Sequence, residues 1–204
     1  MTKYKLTYFD IDGGRGEPIR IAFHQAGIAF EDHRISFPEF MEMRGSTRFS
    51  ALPELEIDGV AVSQSNAICR YVGKLAKLYP ADALQALYCD EALGAVEDAL
   101  HAIVPTMGLE GDELRSAREK LAEGKLTIYL KGLGGLLARG GVYFADNRLT
   151  MADLKVFLLT RWLGSGVLDH FPTDLVQRVA PNLIAHQKRV EKDPVVTAYY
   201  ASRK

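Results

Sequence analysis

Apolar and polar positions alternate at the start of the chain, where Tyr4, Leu6 and Tyr8 are separated by Lys5 and Thr7. A period of two predicts a strand that ends at Phe9. The spacing then lengthens. After a loop at 10–16, Pro18 suits a first helical turn, and Ile19, Ile21, Ala22, Phe23 and Ala26 continue an apolar face until Gly27 stops it. Residues 30–35 predict a second strand, and a strand, helix and strand this close together imply parallel strands joined by a right-handed crossover. Pro38 and Gly45 bracket a possible short helix. Asp58-Gly59 then sits between Leu55-Glu-Ile57 and Val60-Ala-Val62, a hairpin signal because both turn positions favour positive φ. A further helix begins around Ser65, with Ala67, Ile68, Tyr71, Val72 and Leu75 on its apolar face.

This order predicts a small mixed α/β domain over residues 1–76, a linker at 77–82 containing Pro80-Ala-Asp82, and an all-helical domain over 83–204. Within the helical part, residues 83–104 show helical spacing that Pro105 and Gly108 disturb. One long helix is expected over 112–138; Gly132, Gly134 and Gly135 in its tail suggest close packing, a bend or mobility. Thr150-Met-Ala-Asp153 has the form of a capping box, and the apolar run after it predicts a buried central helix. Pro181 and Pro194 mark two shorter terminal helices.

A net charge of -1 in 204 residues gives no general electrostatic attraction to nucleic acid or a membrane, so neither is an expected partner. Cys69 and Cys89 are too few and too far apart for a disulfide scaffold or a Cys-x-x-Cys pair, and the histidines lack metal-ligand spacing, so no metal site is expected. With no apolar signal core at the start and no membrane-length apolar stretch, a cytoplasmic location is the expectation.

Several short segments carry a resemblance: Tyr4-Lys-Leu-Thr-Tyr-Phe9, Glu31-Asp-His-Arg-Ile35, Leu52-Pro53, Ile57-Asp-Gly59, Gln64-Ser65, Ala67-Ile-Cys-Arg-Tyr71 and Thr150-Met-Ala-Asp153. In order and spacing they resemble the cytosolic glutathione transferases, most nearly the sigma class of haematopoietic prostaglandin D synthase-like enzymes. That resemblance implies an α/β plus all-α fold: a thioredoxin-like N-terminal domain with a mixed four-stranded sheet, then an all-helical C-terminal domain lining the electrophile site. It also implies a homodimer that takes glutathione as co-substrate, without a further cofactor, and a small hydrophobic electrophile.

The resemblance implies site residues as well. Tyr8 stands where the family's catalytic tyrosine stands, and the chemistry asks for a hydroxyl donor. Lowering a thiol pKa by about two units takes about 2.7 kcal/mol of preferential thiolate stabilisation. The plain alternative for Tyr8 is an aromatic residue packed in the core. Arg15 matches the arginine that assists the tyrosine, although Gly13-Gly14 makes the loop one residue longer than the sigma pattern. Leu52-Pro53, with a cis bond before Pro53, is expected to bond the cysteinyl backbone of glutathione, and Gln64-Ser65 its γ-glutamyl carboxylate. Phe40 and Arg44 occupy the glycyl end, where Ala51 replaces a lysine of the pattern. Asp98, with Glu97 beside it, matches an acidic pair near the dimer axis, and Phe49 matches an aromatic key that inserts into the partner. Cys69 reads as a buried hydrophobe, and Thr150 and Asp153 as structural. The three functions consistent with these residues are conjugation of glutathione to electrophiles, a glutathione-dependent prostaglandin-type isomerisation, and a non-catalytic structural or binding role.

Overall fold

The computed structural model describes residues 2–203. The chain divides into two compact units: the first runs to Tyr79 and takes in the chain again from Pro194, and the second is Pro80–Asp193.

The first unit holds a four-stranded sheet made of β1 (Tyr4–Phe9), β2 (Glu31–Ile35), β3 (Glu54–Ile57) and β4 (Val60–Ser63), in the order β2-β1-β3-β4. β1 and β2 run parallel, while β1–β3 and β3–β4 are antiparallel. The mixed sheet follows from the connections. Helix α1 (Glu17–Ala26) is the crossover between the parallel strands, and Asp58 (φ 49°) with Gly59 (φ 86°) makes the two-residue hairpin turn. Leu6 and Leu55, paired across β1 and β3, sit on the buried face. α2 (Phe37–Met43) and α3 (Ser65–Leu75) complete this part of the chain. α1 packs against α3 and also against the last helix, α10 (Pro194–Ala201).

The second unit is helical, with α4 (Ala83–Ile103), α5 (Gly111–Glu123), α6 (Lys125–Gly140), α7 (Met151–Gly164), α8 (Leu175–Val179) and α9 (Pro181–Glu191). α7 is its centre: every residue from Met151 to Thr160 is buried, and α4, α8 and α9 pack on it. Its start is fixed by Asp153, whose Oδ2 accepts from both the Thr150 N–H and the Thr150 hydroxyl.

In place of the single long helix expected over 112–138 there are two helices, broken at Gly124, whose backbone (φ -101°, ψ -110°) leaves the helical region. A Cβ there would lie 2.9 Å from the Lys120 carbonyl oxygen, so the break depends on glycine. The later glycines stay inside α6, and Gly134 allows close packing, its carbonyl accepting from Asn182 Nδ2 at 2.8 Å. Among the described residues no helix is long and apolar enough to cross a membrane.

Candidate functional site

Strand register brings the candidate residues of the first unit to one end of the sheet. The β1–β3 ladder ends at the pair Thr7–Glu54 and the β3–β4 ladder at Glu54–Ser63. One step beyond those pairs lie Tyr8, Pro53 and Gln64. The parallel partner β2 ends at the same side, with Tyr8 opposite Arg34, and leads into α2 and Phe40.

Tyr8 is 5% exposed and packs with Ile35, Phe40 and Leu52, flanked by the partly buried Phe9 and Met43. Its hydroxyl is not left in this apolar setting without a partner: the backbone N–H of Arg15 donates to Tyr8 Oη at 2.9 Å. Arg15 is thus brought to the tyrosine through its main chain. Two glycines make the approach possible. A Cβ on Gly14 (φ +60°) would lie 2.5 Å from Tyr8 Oη, and one on Gly16 would lie 2.4 Å from the ring. The loop is held from behind by Arg20, which is 1% exposed. Its guanidinium donates to the carbonyls of Phe9 (3.3 Å) and Ile11 (3.2 Å) and to the carboxylates of Asp32 (2.9 Å) and Glu17 (3.3 Å). It also lies 5.8 Å from the centre of the Tyr8 ring.

The Leu52–Pro53 peptide is cis, and Leu52 is packed with Tyr8. Arg44 Nε donates to the carbonyl of Ser50 at 3.3 Å, which ties the short helical turn after α2 to the segment leading into Leu52. Gln64 precedes α3 with φ 78° and ψ 104°, a backbone that a non-glycine residue seldom adopts. Its side chain makes no capping bond to the helix, and Ser65 is the first residue of α3 and is buried. The N-terminus of α3 therefore lies at the same end of the sheet as Tyr8.

The two remaining candidates are Phe49 and Asp98. Phe49 is 56% exposed on the loop before Leu52. Asp98 belongs to the second unit, where it is exposed on α4. Its neighbour Glu97 is paired with the ammonium of Lys155, a buried residue of α7. Cys69 is fully buried, and burial pushes the Cys89 thiol up to about 12, so neither has the character of a nucleophile at neutral pH. No three His, Cys, Asp or Glu side chains among the described residues form a group suited to a metal ion.

Reasoning from sequence did not single out Gly14, Gly16, Glu17, Arg20 or Arg203. The first two had a signal in the glycine-rich loop. Arg203 had none, because Asp12 and Glu17 lie 191 and 186 positions before it.

Two family descriptions match the chain: "Glutathione S-transferase, N-terminal domain" over residues 4–74 and "Glutathione S-transferase, C-terminal domain" over residues 97–203. A hematopoietic prostaglandin D synthase of Gallus gallus is 30% identical over 204 residues, covering 100% of this chain and 98% of the relative. Glutathione S-transferase 1 of Ascaris suum is 34% identical over 161 residues, covering 76% and 78%. The solved structure of a prostaglandin synthase D of Nilaparvata lugens superposes with a TM-score of 0.84 at 26% identity, covering 99% of this chain and 98% of that one.

Proposed function

Since the chain belongs to the glutathione S-transferase family, we propose that it transfers glutathione to hydrophobic electrophiles, with the Tyr8 hydroxyl stabilising the glutathione thiolate. The observation that carries this reading is the 2.9 Å bond from the Arg15 N–H to Tyr8 Oη. A phenol oxygen that accepts a hydrogen bond is a better donor through its own proton, and Tyr8 is buried where such a bond is strong. Donation to a bound thiolate favours the ionised sulfur, and a shift of two pKa units corresponds to about 2.7 kcal/mol. The thiolate then attacks an electrophilic carbon. A proton is lost to solvent before the attack, and the leaving group departs with the bonding pair.

The remaining groups fit a tripeptide laid along the sheet end. The backbone at Leu52 serves the cysteinyl portion as a strand edge would. Gln64, Ser65 and the start of α3 receive the γ-glutamyl carboxylate. Arg44 beside Phe40 serves the glycyl carboxylate, with fewer donors than the family pattern supplies because Ala51 contributes none. Asp98 serves the ligand ammonium of a second subunit, and Phe49 is the contact of a homodimer, a role that accounts for a large apolar side chain exposed on a loop. Glutathione acts as co-substrate, the thiolate chemistry needs no further cofactor, and the protein works in the cytosol.

A glutathione-dependent isomerisation of a prostaglandin-like endoperoxide is the second reading, favoured by the full-length likeness to a protein named hematopoietic prostaglandin D synthase. A conjugation assay with a chloronitrobenzene, run against pH for the native chain and Tyr8→Phe beside an endoperoxide substrate, separates these readings. The first predicts a fall of about 100-fold in Tyr8→Phe near neutral pH. Native protein that turns over neither substrate and is not retained on immobilised glutathione supports a non-catalytic role instead.

A further inference from the structure

The loop that carries the Arg15 N–H to Tyr8 contains two consecutive residues with positive φ, Gly13 (112°) and Gly14 (60°). Glycines impose little steric restraint on their own course, so what holds the flanks bears on the position of Arg15. On one flank, Arg20 holds the carbonyls of Phe9 and Ile11, and Arg34 holds the carboxylate of Asp10 at 3.1 Å. On the other, Gly16 opens α1, its carbonyl accepting from the N–H groups of Ile19 and Arg20.

Arg203 bridges both flanks. Its Nη2 donates to Asp12 Oδ1 at 2.6 Å, just before the glycine pair, and its Nη1 donates to Glu17 Oε1 at 3.0 Å, just after Gly16. Glu17 has no exposed surface, and its other oxygen is met by Arg20, so this carboxylate is shared between two guanidinium groups. Arg203 is in turn steadied by Tyr199, whose ring centre lies 5.5 Å away and whose hydroxyl is 3.4 Å from Nη1. Tyr199 belongs to α10, which packs on α1.

We propose that Arg203 is a positioning residue for the Tyr8 hydroxyl. By clipping Asp12 to Glu17 across the glycine pair, it keeps the Arg15 N–H on Tyr8 Oη. The consequence for catalysis rests on the reading of Tyr8 as the thiolate donor. The positioning itself does not, because it acts on the phenol of the ligand-free protein.

The test titrates Tyr8 in the full-length ligand-free protein by carbon NMR of tyrosine labelled at Cζ, with Tyr8→Phe identifying the resonance. Loss of an N–H donor to the phenolate raises the midpoint by roughly 0.5–1 pH unit. Arg203→Ala is expected to show this rise and Arg203→Lys a smaller one, though removing a cation raises a phenol midpoint even without any movement of the loop. Asp12→Ala removes that ambiguity, because it deletes both the negative charge and the acceptor of Arg203 Nη2. Deleting a negative charge lowers a phenol midpoint by simple electrostatics, whereas cutting the clip raises it. The Asp12 side chain is 55% exposed, so the variant should fold even where Arg203→Ala does not. A raised midpoint in Asp12→Ala supports the clip. A lowered or unchanged midpoint overturns it, whatever happens to thermal stability. Should the rise be seen while Tyr8→Phe conjugates glutathione at the native rate, the clip stands and the thiolate reading falls.

Discussion

Each unit of the protein contains a carboxylate with no exposed surface, Glu17 in the first and Asp153 in the second, and the two are satisfied in opposite ways. Asp153 is met mostly by backbone and hydroxyl donors close in sequence. It accepts from the N–H groups of Phe144 and Thr150 and from the Thr150 hydroxyl, and His186 Nε2 lies 2.9 Å from its Oδ1. Glu17 is met by two guanidinium groups, one from the next turn of its own helix and one from Arg203, at the other end of the chain. The first arrangement fixes where a helix starts. The second holds a glycine-containing loop that has to present a single N–H to Tyr8, and long charged side chains can reach across such a loop where local caps cannot.

The largest effect that sharpens this contrast is expected from Asp153→Ala. It leaves the buried N–H groups of Phe144 and Thr150 without their acceptor and is expected to cost about 4 kcal/mol of stability in urea unfolding. Glutathione affinity of the protein that remains folded should be unchanged by calorimetry. A lost affinity with native stability would break the assignment of Asp153 to structure.

Next comes Gly14→Ala, on the other side of the contrast. A methyl group at φ +60° and 2.5 Å from Tyr8 Oη combines a left-handed backbone with a clash, costing about 2 kcal/mol of stability. The conjugation rate per folded molecule should fall at least tenfold as well, because the displaced atom is the hydroxyl itself. A stability loss with an unchanged rate would show that the loop matters only for folding.

The smallest effect concerns a second capping box, in the first unit, where Glu39 accepts from the Ser36 N–H at 2.7 Å and from its hydroxyl at 2.6 Å. These hydrogen bonds from Ser36 hold the Glu39 carboxyl below its ordinary range. The folded state then binds fewer protons than the unfolded state across that range, so stability rises with pH there. The contribution is complete at neutral pH and disappears as pH falls through and below the ordinary carboxylate range. Amide exchange of α2 should lose protection over that acid window in the native chain, and Glu39→Gln should remove the pH dependence. Asp153 has the same motif form but is buried, so the comparison isolates what burial adds to a cap.

Much of the fold was legible because its signals are local. Alternation from Tyr4 to Tyr8, the Asp58-Gly59 turn and the Thr150–Asp153 box each act within a few residues, and the structure places β1, the hairpin and α7 on them. The break at Gly124 was not legible, since the apolar spacing continues across it and only the approach to the Lys120 carbonyl makes glycine necessary. At the site, Tyr8 and Arg15 were both named from sequence, but the atom that joins them is a backbone nitrogen, which side-chain identity cannot announce. Glu97 and Asp98 read alike as neighbours on one helix. What distinguishes them is Lys155, which reaches Glu97 from α7, 58 positions further on. Arg203 is the extreme case, a terminal charge whose partners lie at the start of the chain.

The most direct measurement for the central claim follows the ionisation of glutathione bound to the protein, by the ultraviolet absorbance of the thiolate as a function of pH, in the native chain and in Tyr8→Phe. The bound thiol is expected to ionise about two pH units below free glutathione in the native protein and to return most of the way in Tyr8→Phe. A bound thiol that titrates at the same pH in both proteins would contradict it.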